Sequence, residues 1–143
     1  MFALERKYAD EIIAQAREEA PNECCGVLAG RDGRVEKLFR AVNAEKSRYR
    51  YNVDPHDLLR IYRECDANGW DFLAIYHSHP HTKAYPSPTD VSLAAWPETD
   101  VWVAAWPEST YIIISLADPE NPILRAFRIQ DGRVSEEELR IEG

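Results

Sequence analysis

Long apolar stretches are absent from this chain: no segment approaches the roughly 18 uninterrupted apolar residues of a transmembrane helix. The first residues, Met1 to Lys7, lack the order of basic, apolar and small residues that marks a secretory signal peptide. From these two absences we expect a cytoplasmic protein without a membrane anchor.

Basic residues are outnumbered, with 17 Lys and Arg against 25 Asp and Glu and a formal net charge of -8. Because the acids are spread along the chain, this balance argues against nucleic acid or an anionic membrane as the main partner. Solubility explains the charge more simply.

Cysteines are few, and no C-x-x-C spacing connects Cys24, Cys25 and Cys65. An odd number of thiols without that spacing suits neither a disulfide framework nor a four-thiolate zinc site, so reduced thiols are expected. At 143 residues and 45% apolar content, the chain is long enough for one domain, residues 1–143, with a single core.

Periodicity and turn residues predict an alternation of helices and strands. Helices are predicted over residues 3–20, over 54–68 with Asp54 as N-cap, and from Ser87 to about Trp96. Strands are predicted over 23–30, 35–42, 71–77, 111–116 and 123–129, with a short strand over 49–53. The charged tail from Ser135 onward is expected to be peripheral.

The segment His77-Ser78-His79, followed after ten residues by Asp90, carries the most information about chemistry. Two residues at i and i+2 of a strand point to the same side about 6.7 Å apart, close enough to share one metal ion. Two imidazoles and a carboxylate form a three-ligand set that leaves a fourth tetrahedral position for water, as in catalytic zinc sites. The alternative is that the histidines only form hydrogen bonds at a strand end.

Residues near this segment have two interpretations each. His81 continues the alternation, but Pro80 should break the extended chain, so His81 is expected at the rim rather than as a ligand. Asp90 and Ser87 could serve only as capping residues of a helix. In the functional interpretation Asp90 reaches the metal and the Ser87 hydroxyl donates to the oxyanion that develops on a scissile carbonyl.

Glu23 is the candidate general acid/base. Peptide hydrolysis needs a group that takes a proton from water and passes it to the leaving amine. Glu23 directly precedes a strongly apolar strand, where burial of an unpaired carboxylate is costly. A carboxylate at such a position therefore indicates a functional role. The alternative is an exposed glutamate at a helix end.

A direct repeat separates the predicted helix at Ser87 from the next strand. The unit Ala94 to Asp100 recurs ten residues later as Ala104 to Thr110. It is too short for a solenoid, so a local tandem duplication is the simpler account. Residues 101–103 inside it could form an extra strand.

Together these motifs resemble the JAMM (MPN-plus) zinc metalloproteases over essentially the whole chain, and within them the short bacterial members that include the Mec-type sulfur-carrier peptidase. The resemblance rests on Glu23-x-Cys25-Gly26-x-Leu28-x-Gly30, on His77-x-His79-Pro80 and on Ser87-x-x-Asp90. It implies a mixed α+β (α/β) domain of the MPN/JAMM type with a curved mixed sheet between helices, an architecture like that of cytidine deaminase. It also implies zinc ligands His77, His79 and Asp90, general acid/base Glu23 and oxyanion donor Ser87.

By the same resemblance the expected activity is zinc-dependent hydrolysis after a C-terminal Gly-Gly of a ubiquitin-like sulfur carrier, by water that Glu23 activates, in cysteine or other sulfur metabolism. The substrate tail would enter as an extended strand; a homodimer is left open. Two rivals are a non-catalytic MPN binding module and a cysteine hydrolase that uses Cys24 or Cys25. A zinc deaminase is disfavoured because its H-x-E and P-C-x-x-C patterns are absent.

Overall fold

The computed structural model describes residues 1–48, 51–88, 90, 109–130 and 133–143. Its elements in chain order are β1 (Phe2–Glu5), α1 (Arg6–Glu19), β2 (Cys25–Arg31), β3 (Arg34–Ala41), α2 (Pro55–Asn68), β4 (Asp71–His79), β5 (Thr110–Ser115), β6 (Ile123–Gln130), β7 (Arg133–Glu137) and β8 (Leu139–Glu142).

Six strands form one mixed sheet in the order β3-β2-β4-β5-β6-β7. All neighbours in it are antiparallel except β4 and β5, which run parallel. Parallel neighbours need a crossover connection, which residues 80–109 supply. The expected mixed α+β class with a mixed sheet is confirmed.

The two helices cover opposite faces of this sheet because neighbouring strand residues point in opposite directions. On one face α1 buries Ala9, Ile12 and Ala16 against strand residues that include Leu28 and Tyr76. On the other face α2 buries Leu58, Ile61 and Cys65 against residues that include Cys25 and Ile75. Strand β4 is therefore buried from both sides, as its continuous apolar run predicts.

Local signals set the ends of several elements. Asp54 caps α2 as predicted, since its side chain accepts from the backbone N–H groups of His56 and Asp57. The hairpin between β2 and β3 turns through Asp32 at φ 54° and Gly33 at φ 76°, the left-handed pair that a tight two-residue turn needs.

Three boundaries differ from the sequence-based expectation. Residues 2–5 form β1 rather than the start of α1, and they pair in parallel with β8 of the tail. The tail is mostly exposed, as expected, but it is ordered into β7 and β8. Strand β4 extends past His77 to His79 because β5 continues alongside, with His79 opposite Ser115.

The predicted short strand over 49–53 reduces, in its described part, to an isolated bridge between Asn43 and Val53. Pro88 and Asp90 are helical. The rest of the helix predicted from Ser87 and the possible strand over 101–103 lie outside the described residues, as does most of the duplicated unit. No helix of the described part combines the length and apolar character needed to cross a membrane.

Gly26 permits a close approach in the sheet, and this predicts the effect of Gly26→Ala. A Cβ atom there would lie 2.1 Å from the Tyr76 hydroxyl and 2.5 Å from the Phe39 carbonyl oxygen. We expect unfolding in urea to show a loss of about 3 kcal/mol, since buried backbone cannot yield to the added methyl group. Gly33→Asn is the control, because asparagine tolerates positive φ and nothing lies within 4 Å of its Cβ position. Equal stability of the two variants would contradict the prediction.

Candidate metal centre and active site

The histidine pair lies at the C-terminal end of β4, where the chain is still extended. His77 and His79 are 1% and 4% exposed, and their Nε2 atoms lie 3.2 Å apart. The Nδ1 atom of His79 donates to the Lys83 carbonyl oxygen at 2.9 Å. That bond places the ring proton on Nδ1 and leaves the Nε2 lone pair directed at the site.

Asp90 meets both imidazoles through one oxygen. Its Oδ2 atom lies 3.1 Å from the Nε2 atom of His77 and 3.2 Å from that of His79. The same Oδ2 accepts from the Ser87 N–H at 2.8 Å, while the Asp90 N–H donates to Ser87 Oγ at 3.1 Å. This reciprocal pair is a capping-box arrangement, and it orients the carboxylate toward the end of β4.

These three atoms satisfy the geometry of a metal site. In tetrahedral zinc centres with bonds of about 2.0–2.1 Å, neighbouring ligand atoms lie about 3.3 Å apart. The separations here are 3.1 Å from the carboxylate to His77, 3.2 Å from the carboxylate to His79 and 3.2 Å between the histidines, so one small cation can reach all three atoms. Three buried electron-pair donors in such contact repel one another unless a proton or a metal ion lies among them.

The pKa shifts point to the same demand for positive charge. Burial works to raise the pKa of Asp90, but the charge of His77 and hydrogen bonds from both imidazoles and from Ser87 N–H hold it well below its usual range. Burial works to lower the pKa of His79, and the hydrogen bonds to Asp90 and to the Lys83 carbonyl more than offset it, so that pKa is raised. A cation at this position is therefore stabilised by an ionised Asp90.

Glu23 is in the opposite electrostatic situation. Its side chain is 3% exposed, and burial raises the pKa of its carboxyl from 4.5 to about 8, against a smaller lowering effect of His79. Its Oε1 atom has no hydrogen-bond partner among the described residues. Ligand atoms of Glu23, His77 and His79 all lie within 4.8 Å of one another. Glu23 is thus buried beside the histidines, not exposed at a helix end.

Ser87 lies beside the candidate ligands, whereas His81 lies away from them. The Ser87 hydroxyl accepts from the Asp90 N–H, so its own proton remains free to be donated, and the capping and oxyanion roles are compatible. His81 is exposed and lines a separate cavity of about 500 Å³ with Pro80 and Arg17. The expectation that Pro80 turns His81 away from the ligand set agrees with this placement.

The cysteines lie in the core. Cys24 and Cys25 are fully buried and Cys65 is 2% exposed. Burial raises the pKa of the Cys24 thiol to about 12 and that of Cys65 to about 11, and it also raises the pKa of Cys25. A nucleophilic cysteine needs an accessible thiolate, so the structure speaks against a cysteine hydrolase.

Three supporting contacts have no counterpart in the sequence-based prediction. The Tyr51 ring stacks on the His77 imidazole, with ring centres 4.3 Å apart and an 18° angle between planes. The Ser78 hydroxyl accepts from the Cys24 N–H, and the Asn43 amide donates to the Glu23 carbonyl oxygen. The sequence does carry a signal for the Ser78 contact, because a serine within a buried strand needs a hydrogen-bond partner.

The raised pKa of Glu23 predicts a pH-dependent stability of the metal-free protein. Below about pH 4.5 Glu23 is protonated in both folded and unfolded chains; between about pH 4.5 and 8 the unfolded chain has released this proton while the folded chain retains it, so stability is lost as pH rises through that window. Glu23→Gln should remove that loss. In urea titrations with chelator, we expect the Gln variant to match the wild type at pH 4 and to exceed it by about 1–3 kcal/mol at pH 9. Glu36→Gln, at an exposed position of β3, is the control, and parallel stability curves for wild type and Glu23→Gln would refute the assignment.

Comparison with known proteins gives a consistent result. The profile described as "Prokaryotic homologs of the JAB domain" (Prok-JAB) matches residues 5–130. The CysO-cysteine peptidase of Mycobacterium tuberculosis is 39% identical over 143 residues, which cover 99% of this chain and 91% of that protein. A desampylase of Haloferax volcanii is 39% identical over 95 residues, covering 62% of this chain and 68% of that protein.

Among solved structures, the solution structure of a protein from Desulfitobacterium hafniense superposes with a TM-score of 0.82. It is 36% identical, and the match covers 99% of this chain and 93% of that one. The resemblance to the JAMM metalloproteases is confirmed by these matches. This chain belongs to the Prok-JAB family, the prokaryotic homologs of the JAB domain.

Proposed function

We propose that this protein is a zinc peptidase that hydrolyses the bond after a C-terminal Gly-Gly of a ubiquitin-like sulfur carrier. The observation that carries the proposal is the convergence of His77 Nε2, His79 Nε2 and Asp90 Oδ2 at 3.1–3.2 Å, with the Glu23 carboxyl buried beside them. The similarity to a CysO-cysteine peptidase over nearly the whole chain supports the substrate class.

His77, His79 and Asp90 would hold the zinc ion. When bound, zinc supplies Lewis-acid chemistry: it makes water acidic enough to lose a proton near neutral pH, and it polarises the scissile carbonyl. The Lys83 carbonyl and the Ser87 N–H orient two of the three ligands, which is the usual task of groups that contact ligands rather than the metal.

Glu23 moves the proton. It accepts one proton from the attacking water and delivers it to the departing amine nitrogen, so that the C–N bond breaks with a neutral leaving group. A carboxyl whose pKa burial raises toward neutrality can perform both transfers, because neither the acid nor the base form is strongly favoured. The Ser87 hydroxyl donates to the oxyanion that forms on the carbonyl oxygen.

The carrier tail would enter as an extended strand along a sheet edge. Strand β3 is such an edge, and its last paired residue, Ala41, is opposite Cys25, which is in turn opposite His77. The edge therefore ends two strand spacings, about 10 Å, from the candidate metal ligands. A cytoplasmic role in cysteine or other sulfur metabolism is part of the same proposal.

Glu23→Gln tests the reaction. The zinc-loaded protein is incubated with sulfur carriers that bear one residue beyond Gly-Gly, and mass spectrometry follows loss of that residue. We expect cleavage by the wild type, loss of cleavage with chelator, and survival after treatment with a thiol alkylator. Glu23→Gln should reduce turnover by at least about 1,000-fold while retaining a full equivalent of zinc, because it removes the proton carrier and no ligand. A Glu23→Gln variant with wild-type rates would show that the base is another residue.

The nature of the leaving group is decided in the same assay. A carrier joined through an isopeptide bond to a lysine side chain is offered beside the C-terminally extended carrier. Faster release from the extended carrier supports the proposal. Preference for the isopeptide would instead indicate an enzyme that cleaves protein conjugates, the activity named for a relative from Thermus thermophilus, a probable TtuB-protein conjugate cleaving protease.

Ser87→Ala should lower kcat by about 100-fold, because the oxyanion loses its neutral donor. Loss of the N-cap should reduce stability by about 1 kcal/mol, with zinc content unchanged. Ser87→Thr retains the hydroxyl and serves as the control. If Ser87→Ala keeps its kcat while losing stability, Ser87 is a capping residue and nothing more.

A further inference from the structure

The peptide between Glu23 and Cys24 is held at both ends by side chains. Its carbonyl oxygen accepts from Asn43 Nδ2 at 3.0 Å, and its N–H donates to Ser78 Oγ at 2.8 Å. The preceding N–H, of Glu23 itself, donates to the Ser47 carbonyl oxygen at 2.7 Å. The backbone on either side of the Glu23 side chain is therefore fixed by groups outside the regular ladder of the sheet.

Ser78 connects this peptide to the histidine pair. It lies between His77 and His79, is fully buried, and its N–H also donates to the Cys24 carbonyl oxygen at 3.1 Å. Since strand neighbours point to opposite faces, the hydroxyl is directed away from the imidazoles and toward the start of β2. The residue that separates the candidate ligands thus makes two hydrogen bonds to the residue that follows Glu23.

Asn43 connects the same peptide to the segment between β3 and α2. Its side chain is 4% exposed, and its Oδ1 atom accepts from the N–H groups of Glu45 and Asn52, each at 3.0 Å. Tyr51, the neighbour of Asn52, stacks on His77. The Asn43 side-chain amide therefore connects, through hydrogen bonds, the backbone of Glu23 to the segment that packs on His77.

The Glu23 carboxyl has little at its own tip to hold it, because Oε1 has no hydrogen-bond partner among the described residues. The location of this carboxyl is then set by its backbone together with the packing of the buried side chain. We propose that Asn43 and Ser78 are positioning residues that fix the Glu23 carboxyl relative to His77 and His79 by holding the Glu23–Cys24 peptide from both sides. This inference rests on the proposed function of Glu23 as proton carrier.

The test compares variants that each remove one contact. Asn43→Asp keeps the oxygen that accepts from Glu45 and Asn52 but loses the donor to Glu23, and Ser78→Ala loses the acceptor for Cys24 N–H. With zinc-loaded protein and the extended carrier, we expect kcat to fall about 10- to 100-fold, because a displacement of about 1 Å at a reacting group has that effect. KM should stay within about threefold and zinc content at one equivalent, because no ligand or substrate contact is changed.

Matched controls separate positioning from charge and from packing. Asn22→Asp makes the same chemical change one residue before Glu23, where no hydrogen bond to the Glu23–Cys24 peptide is involved, and Ser78→Thr retains the hydroxyl. Both should keep kcat within about threefold of the wild type. Equal losses in Asn43→Asp and Asn22→Asp, or a loss of kcat that tracks a loss of zinc, would overturn the inference.

A readout without turnover distinguishes this inference from the proposed function. In the metal-free protein, hydrogen exchange of the Cys24 amide should become at least about 10-fold faster in Ser78→Ala and Asn43→Asp and remain unchanged in the two controls. If the wild type cleaves no carrier, the proposed function fails, and exchange alone then decides the positioning. Unchanged Cys24 exchange in both test variants would overturn the positioning role whatever the activity.

Discussion

Three electron-pair donors within 3.2 Å of one another, almost entirely screened from water, form the constraint on which the rest of this site depends. Such a cluster is stable only with positive charge at its centre, and the surrounding structure is arranged to keep it in place. The parallel neighbour β5 keeps β4 extended as far as His79, and the reciprocal hydrogen bonds of Ser87 and Asp90 bring the carboxylate back to it. A metal ion would complete this arrangement rather than create it.

The two acidic side chains of the site differ because their surroundings differ. Asp90 accepts from the Ser87 N–H and faces both imidazoles, so its anion is stabilised. Glu23 has the same functional group at a similar depth but lacks such donors, and its pKa rises to about 8. Two carboxyls driven in opposite directions are suited to two tasks, one to hold a cation and the other to exchange a proton.

Much of this could be predicted from the sequence where the determining contacts are local. The i, i+2 spacing of His77 and His79 and the Ser87-x-x-Asp90 capping pattern each describe a few consecutive residues, and the structure brings them together as expected. The position of Glu23 beside them followed from the family resemblance together with the cost of a carboxylate before an apolar strand. The mixed sheet between helices likewise followed from the family resemblance.

The remaining contacts join residues that are distant in the chain, and no local pattern encodes them. Helical spacing predicts residues 3–5 as the start of a helix, but they form a strand because they pair with β8, which is distant in the chain. The sequence predicts Tyr51 within a short strand, as aromatic residues favour strands, whereas in the structure its ring stacks on His77. The partners of Asn43 and Ser78 likewise depend on how β2 is placed between its neighbours.

The parallel pairing of β4 and β5 makes residues 80–109 a crossover whose two ends are fixed by the sheet. In the sequence, the duplicated unit begins after Asp90 and lies within this connection except for its last residue, Thr110. Because the entropic cost of a longer connection grows only with the logarithm of its length, residues can be gained there at small expense. Residues gained after Asp90 leave the separation of His77, His79 and Asp90 along the chain unchanged, so this connection can lengthen without altering the spacing of the candidate metal ligands.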